Sequence, residues 1–150
     1  MKKLLASGLA FCVVLAACGG SDSANDETME EPPVVTTPTH TVTILEPADG
    51  STVEGPRVTV RLATTVPLAQ AGDMTPGTGH HHIFLDGDLS PEGTPIPAVP
   101  GTVVHLGDAS SEFTFDAVSP GRHRIIAVMA DFAHVPLDPP VVDTVFFTVE

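Results

Sequence analysis

Three consecutive histidines inside the chain are the residues with the clearest capacity for chemistry. His80, His81 and His82 follow a glycine-rich stretch and precede the apolar residues Ile83 to Leu85, as at a loop that enters a β-strand. Alternate residues of a strand project to the same side, with Cα atoms roughly 6.5–7 Å apart. His80 and His82 are therefore expected to share one face and to bind one metal ion together. Imidazole is a ligand for zinc, copper, iron and nickel.

The elements that must position these histidines are short β-strands. From His40 onward, alternating apolar and polar residues recur between turns that contain proline or glycine. This pattern predicts an all-β domain, an immunoglobulin-like β-sandwich of about seven strands. Segments 44–53 and 119–125 are similar to the first strands, and to the turn into the sixth strand, of bacterial immunoglobulin-like domains. The predicted strands are 41–45, 57–62, 81–85, 102–105, 112–116, 124–130 and 142–149.

The predicted topology indicates where further metal ligands lie. In an immunoglobulin-like sandwich the third strand pairs antiparallel with the sixth, so the start of the third lies near the end of the sixth. His134 follows the sixth strand, and an antiparallel fourth strand brings His105 to the same end. The predicted metal site consists of His80, His82, His105 and His134, with His81 and Met74 as further candidate ligands.

Each candidate ligand also has a purely structural interpretation. His81 shares its side of the strand with Ile83 and Leu85, which favours a half-buried or hydrogen-bonded histidine. His105 fits a turn residue, and His134 fits a residue that caps a loop. Met74 fits an ordinary exposed loop residue.

Four short motifs hold most of the histidines of the chain. They are Gly77–Asp86, Val104–Gly107, Pro120–His123 and Ala130–His134. Together they resemble an uncharacterised family of small exported bacterial domains, catalogued as domain of unknown function number four-three-nine-nine, over roughly residues 55–150. The resemblance implies an exported β-domain with recurrent histidines and supplies no activity. It also marks His123. Strand geometry leaves His123 out of the site because about ten residues, or roughly 33 Å of strand, separate it from His134. A structural role for His123 at its turn and an error in the predicted register both remain open.

The N-terminus resembles the signal of a bacterial lipoprotein. Lys2 and Lys3 precede an apolar run that is too short to span a bilayer. The run ends in Leu15–Gly19, which is similar to a lipobox and implies removal of residues 1–17 and acylation of Cys18. The glycine after the cysteine favours the outer membrane, facing the periplasm or the cell surface, over the inner membrane. An ordinary secretion signal is the alternative.

Composition limits the possible partners and ligands. Residues 18–39 are acidic and proline-rich and are expected to form a disordered tether, followed by the sandwich domain over residues 40–150. The formal net charge of −13 argues against nucleic acid as a partner. The two cysteines are Cys12 and Cys18, so the mature domain has no thiol for a disulfide or a thiolate ligand.

Two functions follow from these features. The first is a cell-envelope lipoprotein that binds copper, or zinc as second choice, for sequestration, delivery or sensing, with a metal donor or acceptor protein as partner. Because neutral imidazole binds the metal, affinity is expected to fall below about pH 6, and Asp86 or Asp131 is a candidate to orient the rings. The second is a metal-free adhesive or scaffolding module that uses its edge strands and the proline-rich loop 91–100. Catalysis is disfavoured because the chain lacks a recognisable nucleophile motif or phosphate-binding loop.

Overall fold

Two β-sheets without a helix make up the part of the chain that the computed structural model describes, residues 40–150. The predicted signal peptide, the lipidation at Cys18 and the tether lie outside the described residues. Within residues 40–150 there is no helix long and apolar enough to cross a membrane. The strands in chain order are β1 (Val42–Glu46), β2 (Thr52–Val53), β3 (Val58–Thr64), β4 (His80–Leu85), β5 (Val103–Leu106), β6 (Glu112–Phe115), β7 (Gly121–Ala130) and β8 (Val142–Val149).

The strand order confirms the predicted immunoglobulin-like sandwich. One sheet has the order β1-β3-β6 and the other has the order β2-β8-β7-β4-β5. All pairs are antiparallel except β2 with β8. The predicted pairing of the third strand with the sixth corresponds to β4 with β7, and the predicted fourth strand corresponds to β5 beside β4. The structure has one strand more than the seven predicted. This additional strand is β2, whose two residues are too few to show an alternating pattern.

The main core lies between the two sheets. Val58 and Val60 of β3 are fully buried and face the inward residues of the larger sheet, including Ile83, Ile125 and Phe147. Each of these strands places alternate residues inward, as the alternating sequence requires. The apolar stripes therefore fix which side of every strand faces the core.

A second, smaller apolar cluster covers the outer face of the larger sheet. Phe84, Ile126, Val128 and Ala130 point outward from β4 and β7 and pack together with Ile96. Ile96 belongs to the long loop that connects β4 to β5 and is itself buried. Strands β4 and β7 are thus buried on both faces, which explains their nearly continuous apolar sequences.

His123 has a structural role at the end of the sandwich opposite to the start of β4. Its Nδ1 lies 2.7 Å from Asp86 Oδ2 and its Nε2 lies 2.8 Å from the carbonyl oxygen of Ser119. The other carboxylate oxygen of Asp86 accepts a hydrogen bond from the backbone N–H of Arg124. Because both ring nitrogens face acceptors, the doubly protonated imidazolium satisfies both contacts. This resolves the question that the sequence left open, and the expectation that Asp86 orients a metal ligand is wrong.

The His123 contacts predict a specific pH dependence of stability. Burial alone lowers the pKa of His123, but the hydrogen bonds to Asp86 and Ser119 and the negative charge of Asp86 outweigh it and raise the pKa above 6.5. A histidine whose pKa is higher in the folded than in the unfolded protein stabilises the fold. This stabilisation is fully present at pH values below the unfolded-state pKa and is lost as pH rises through the folded-state pKa. We expect His123→Phe to lower the free energy of unfolding by about 2 kcal/mol near pH 5.5, and by less near pH 8.5.

Urea unfolding of the wild type and the variant at the two pH values measures this difference. Glu92→Gln, an exposed change in the loop after β4, serves as the control. A difference that grows with rising pH would contradict an imidazolium at His123.

Candidate metal centre

Four histidines from three parts of the fold meet at one end of the larger sheet. Each of them offers a ring nitrogen, and these four nitrogens all lie within 4.8 Å of one another. Every pair of rings is in contact range, with centroid separations between 4.7 and 5.6 Å. The members of this histidine cluster are His80, His82, His105 and His134. The sequence-predicted ligand set therefore does come together in space.

Strand pairing places three members of the cluster. His80 and His82 alternate with the inward residues of β4 and so point to the outer face of the sheet. His105 of β5 lies directly opposite His82 in the antiparallel ladder, and cross-strand neighbours of this kind have Cβ atoms about 5 Å apart. The register of β4 with β5 thus holds these imidazoles on one side.

A tight loop after β7 places the fourth member. His134 has a positive φ of 63°, an unusual conformation for a residue with a side chain. Asp131 holds this loop, because its Oδ1 accepts hydrogen bonds from the backbone N–H groups of Ala133 and Val135, both at 2.9 Å. The carbonyl oxygen of His134 accepts a further bond from the N–H of Ile96, at 2.8 Å. Both neighbouring loops therefore fix the position of His134.

Burial keeps the two inner histidines neutral. His80 and His82 are 1% and 2% exposed. The pKa of His80 is lowered to about 4, mainly by burial and to a smaller extent by the nearby His105 and His134. The pKa of His82 is lowered to about 3, mainly by burial and to a smaller extent by His80 and the other histidines. The pKa of the more exposed His105 is also lowered, first by burial and then by His134. At neutral pH each of these neutral rings has one nitrogen with a lone pair that could bind a metal ion.

Hydrogen bonding among the described residues leaves His82 incompletely satisfied. Its Nε2 lies 3.1 Å from Nε2 of His80, whereas its Nδ1 is buried without a hydrogen-bond partner in residues 40–150. A buried polar atom without a partner costs about 1–3 kcal/mol. Metal–imidazole bonds of about 2.0–2.1 Å place the nitrogens of a tetrahedral site about 3.4 Å apart. The nitrogens of the cluster lie within 4.8 Å of one another, so some pairs would have to approach by up to about 1.4 Å to bind one ion in this geometry.

The two further candidate ligands lie elsewhere. His81 is fully buried on the core side of β4, and its Nδ1 lies 3.1 Å from the carbonyl oxygen of Ser110, which matches its structural interpretation. Met74 is 69% exposed. It lines a separate, mostly apolar cavity of about 640 Å³ together with Phe132 and Pro139.

Gly107 is a supporting residue of the cluster that the sequence did not reveal. A Cβ atom at this position would lie 2.7 Å from Nε2 of His105 and 2.9 Å from Cβ of Ala71. Both contacts are too short, so only glycine leaves room for the His105 ring. The one sequence signal was the pattern His105-Leu106-Gly107, which fits an ordinary turn equally well.

We expect Gly107→Ala to displace the His105 ring and to weaken metal binding about tenfold, the lower end of losses seen when supporting residues of a metal site change. Isothermal titration with copper(II) measures the affinity. Gly87→Ala is the matched control, because the nearest atom to its added Cβ is a side-chain methyl carbon of Thr102 at 3.2 Å. Equal affinities for both variants would show that the His105 ring does not need this space.

Comparisons with known proteins identify a family without an activity. No curated protein matches the chain significantly. An engineered protein with a crystal structure at 1.98 Å resolution is similar to 75% of this chain, at 16% sequence identity and a TM-score of 0.41. This chain spans 20% of the length of that protein. The sequence profile of a family described as "Domain of unknown function (DUF4399)" matches residues 58–150, which include the whole histidine cluster, and the chain belongs to this family.

Proposed function

We propose that the protein is a membrane-anchored lipoprotein of the cell envelope that binds a transition metal through the histidine cluster. Its role is to sequester the ion, to deliver it or to sense it. The observation that carries the proposal is the convergence of four imidazoles within 4.8 Å of one another. Two of them are buried, and Nδ1 of His82 has no hydrogen-bond partner within residues 40–150.

The donor set favours copper(II), with zinc as second choice. Four neutral nitrogen donors without a thiolate suit both ions, and copper(II) stands above zinc in intrinsic affinity for nitrogen sites. A thioether would favour copper(I), but Met74 lines a separate cavity. The cluster therefore matches the oxidised form of copper better than the reduced form.

Protons compete for the cluster less than the sequence alone indicates. The ordinary histidine pKa of 6.5 predicts loss of metal below about pH 6. Burial lowers the pKa values of His80 and His82 to about 4 and about 3. Since both stay unprotonated well below pH 6, binding is expected to persist to lower pH than for exposed histidines.

We expect one copper ion per protein, with a Kd below about 10 μM. This limit corresponds to a binding free energy of about −7 kcal/mol. The double variant His80→Ala/His82→Ala should lose more than about 100-fold in affinity, beyond the effect of changing supporting residues alone. Competitive titration of untagged protein with copper and zinc, near pH 7.5 and pH 5.5, measures the affinity of the wild type and its loss in the double variant.

Two further variants make this test decisive. His40→Ala removes a histidine that is not a member of the cluster and should bind normally. His105→Ala removes an exposed ligand, so it tests the site even where the double variant fails to fold. Wild-type protein that binds neither ion more tightly than about 10 μM would refute the proposal.

The membrane anchor is tested separately. Cys18→Ser removes the thiol that the lipobox-like motif presents for acylation. Since several acyl chains give durable anchoring, we expect the wild type in the membrane fraction and the variant in the soluble fraction. Mass spectrometry of the N-terminal peptide measures the lipid directly. An unmodified Cys18 would show that the segment is an ordinary secretion signal.

The metal-free adhesive module is the second candidate function. The supporting observation is the mostly apolar cavity of about 640 Å³, where Met74 and Phe132 are strongly exposed. Exposed apolar surface of this kind commonly marks an interaction site. Partner capture that is unaffected by a chelator would favour this function over metal binding.

A further inference from the structure

A small cavity lies directly against the histidine cluster. It has a volume of about 210 Å³ and is lined by His82, His105 and His134 on one side. The remaining wall consists of apolar residues of the β4–β5 loop and of β5, namely Ile96, Pro97, Ala98 and Val103. Three of the four candidate ligands therefore border this cavity as well as one another.

The wall opposite the histidines is held in place. Ile96 is buried in the outer apolar cluster, and its backbone N–H donates to the carbonyl oxygen of His134 at 2.8 Å. Pro97 follows directly, and its ring restricts the backbone. The cavity is thus a formed feature of the fold and not a gap beside a loose loop.

The protein groups around the cluster would not neutralise the positive charge of a bound metal ion. Imidazole binds a metal ion in its neutral form, so four histidine ligands would leave a divalent ion with its full positive charge. The nearby carboxylates are Asp131 and Asp108, which act on His80 and His105 respectively. Neither lines the cavity, and Oδ1 of Asp131 already accepts two backbone hydrogen bonds. A cation in the cluster therefore faces a cavity without a protein anion.

We propose that this cavity is a subsite for a small inorganic anion that binds to the metal as an additional, exchangeable ligand. This inference rests on the proposed function. The cavity has room for an anion of three or four heavy atoms together with a few water molecules, each of which occupies about 30 Å³ in the liquid. Azide and hydrogencarbonate belong to this class. The apolar side of the cavity screens the attraction between cation and anion less than bulk water does.

Azide is the probe for the test. Copper(II) is first loaded, and electron paramagnetic resonance establishes that it is bound with nitrogen ligands. Azide titration then follows the charge-transfer absorption of a copper–azide bond and the change in the resonance spectrum. We expect saturable binding to wild-type protein and at least about tenfold weaker binding to Ala98→Leu, whose larger side chain would occupy part of the cavity.

The outcomes separate the inference from the proposed function. Absence of bound copper overturns both. Copper binding with a spectrum that azide does not change overturns the anion subsite alone. Azide binding that is equally strong in wild type and Ala98→Leu shows that the anion approaches by another route and also overturns the subsite. Val99→Leu is the matched control, because Val99 is exposed beside the cavity and does not line it.

Discussion

The register of β4 between β5 and β7 is the constraint on which the site depends. Successive strand residues face opposite sides, so a shift by one residue exchanges the two faces. In the observed register, Ile83 packs in the core between the sheets and Phe84 packs in the outer cluster. His80 and His82 share the outer side with Phe84, opposite Ala130 and Val128 of β7. Apolar packing along the rest of the strand therefore fixes the register that holds the two imidazoles together. The histidines themselves contribute little to the register.

Burial then determines the chemical state of the cluster. A protonated imidazole inside this group would lose its hydration and would repel its neighbours, so His80 and His82 remain neutral. His123, at the other end of β7, shows the opposite behaviour because a carboxylate and a carbonyl face its two nitrogens. The same residue type thus serves as a neutral donor at one end of the sandwich and as a charged structural link at the other. Burial lowers the pKa values within the cluster, whereas the contacts with Asp86 and Ser119 raise the pKa of His123.

Much of this arrangement could be predicted from the sequence because it follows from strands. Alternation gave the shared face of His80 and His82, and the antiparallel order of an immunoglobulin-like sandwich brought His105 and His134 to the same end. Features that depend on loops could not be predicted. The room that Gly107 leaves for His105, the bond from Ile96 to His134 and the link between Asp86 and His123 join residues far apart in the chain or depend on space between side chains. Nothing in their local spacing distinguishes them from ordinary turn residues.

The position of the cluster outside the inter-sheet core has a consequence for how such domains diversify. The core between the sheets, with Val58, Val60 and Phe147, excludes the four clustered histidines, which stand on the outer face and in a loop. Replacement of a clustered histidine therefore removes no side chain from the core between the sheets. Selection can therefore change the members of the cluster without changing the residues that pack between the sheets. A scaffold organised in this way can acquire, alter or lose a reactive centre through a few substitutions while its architecture persists.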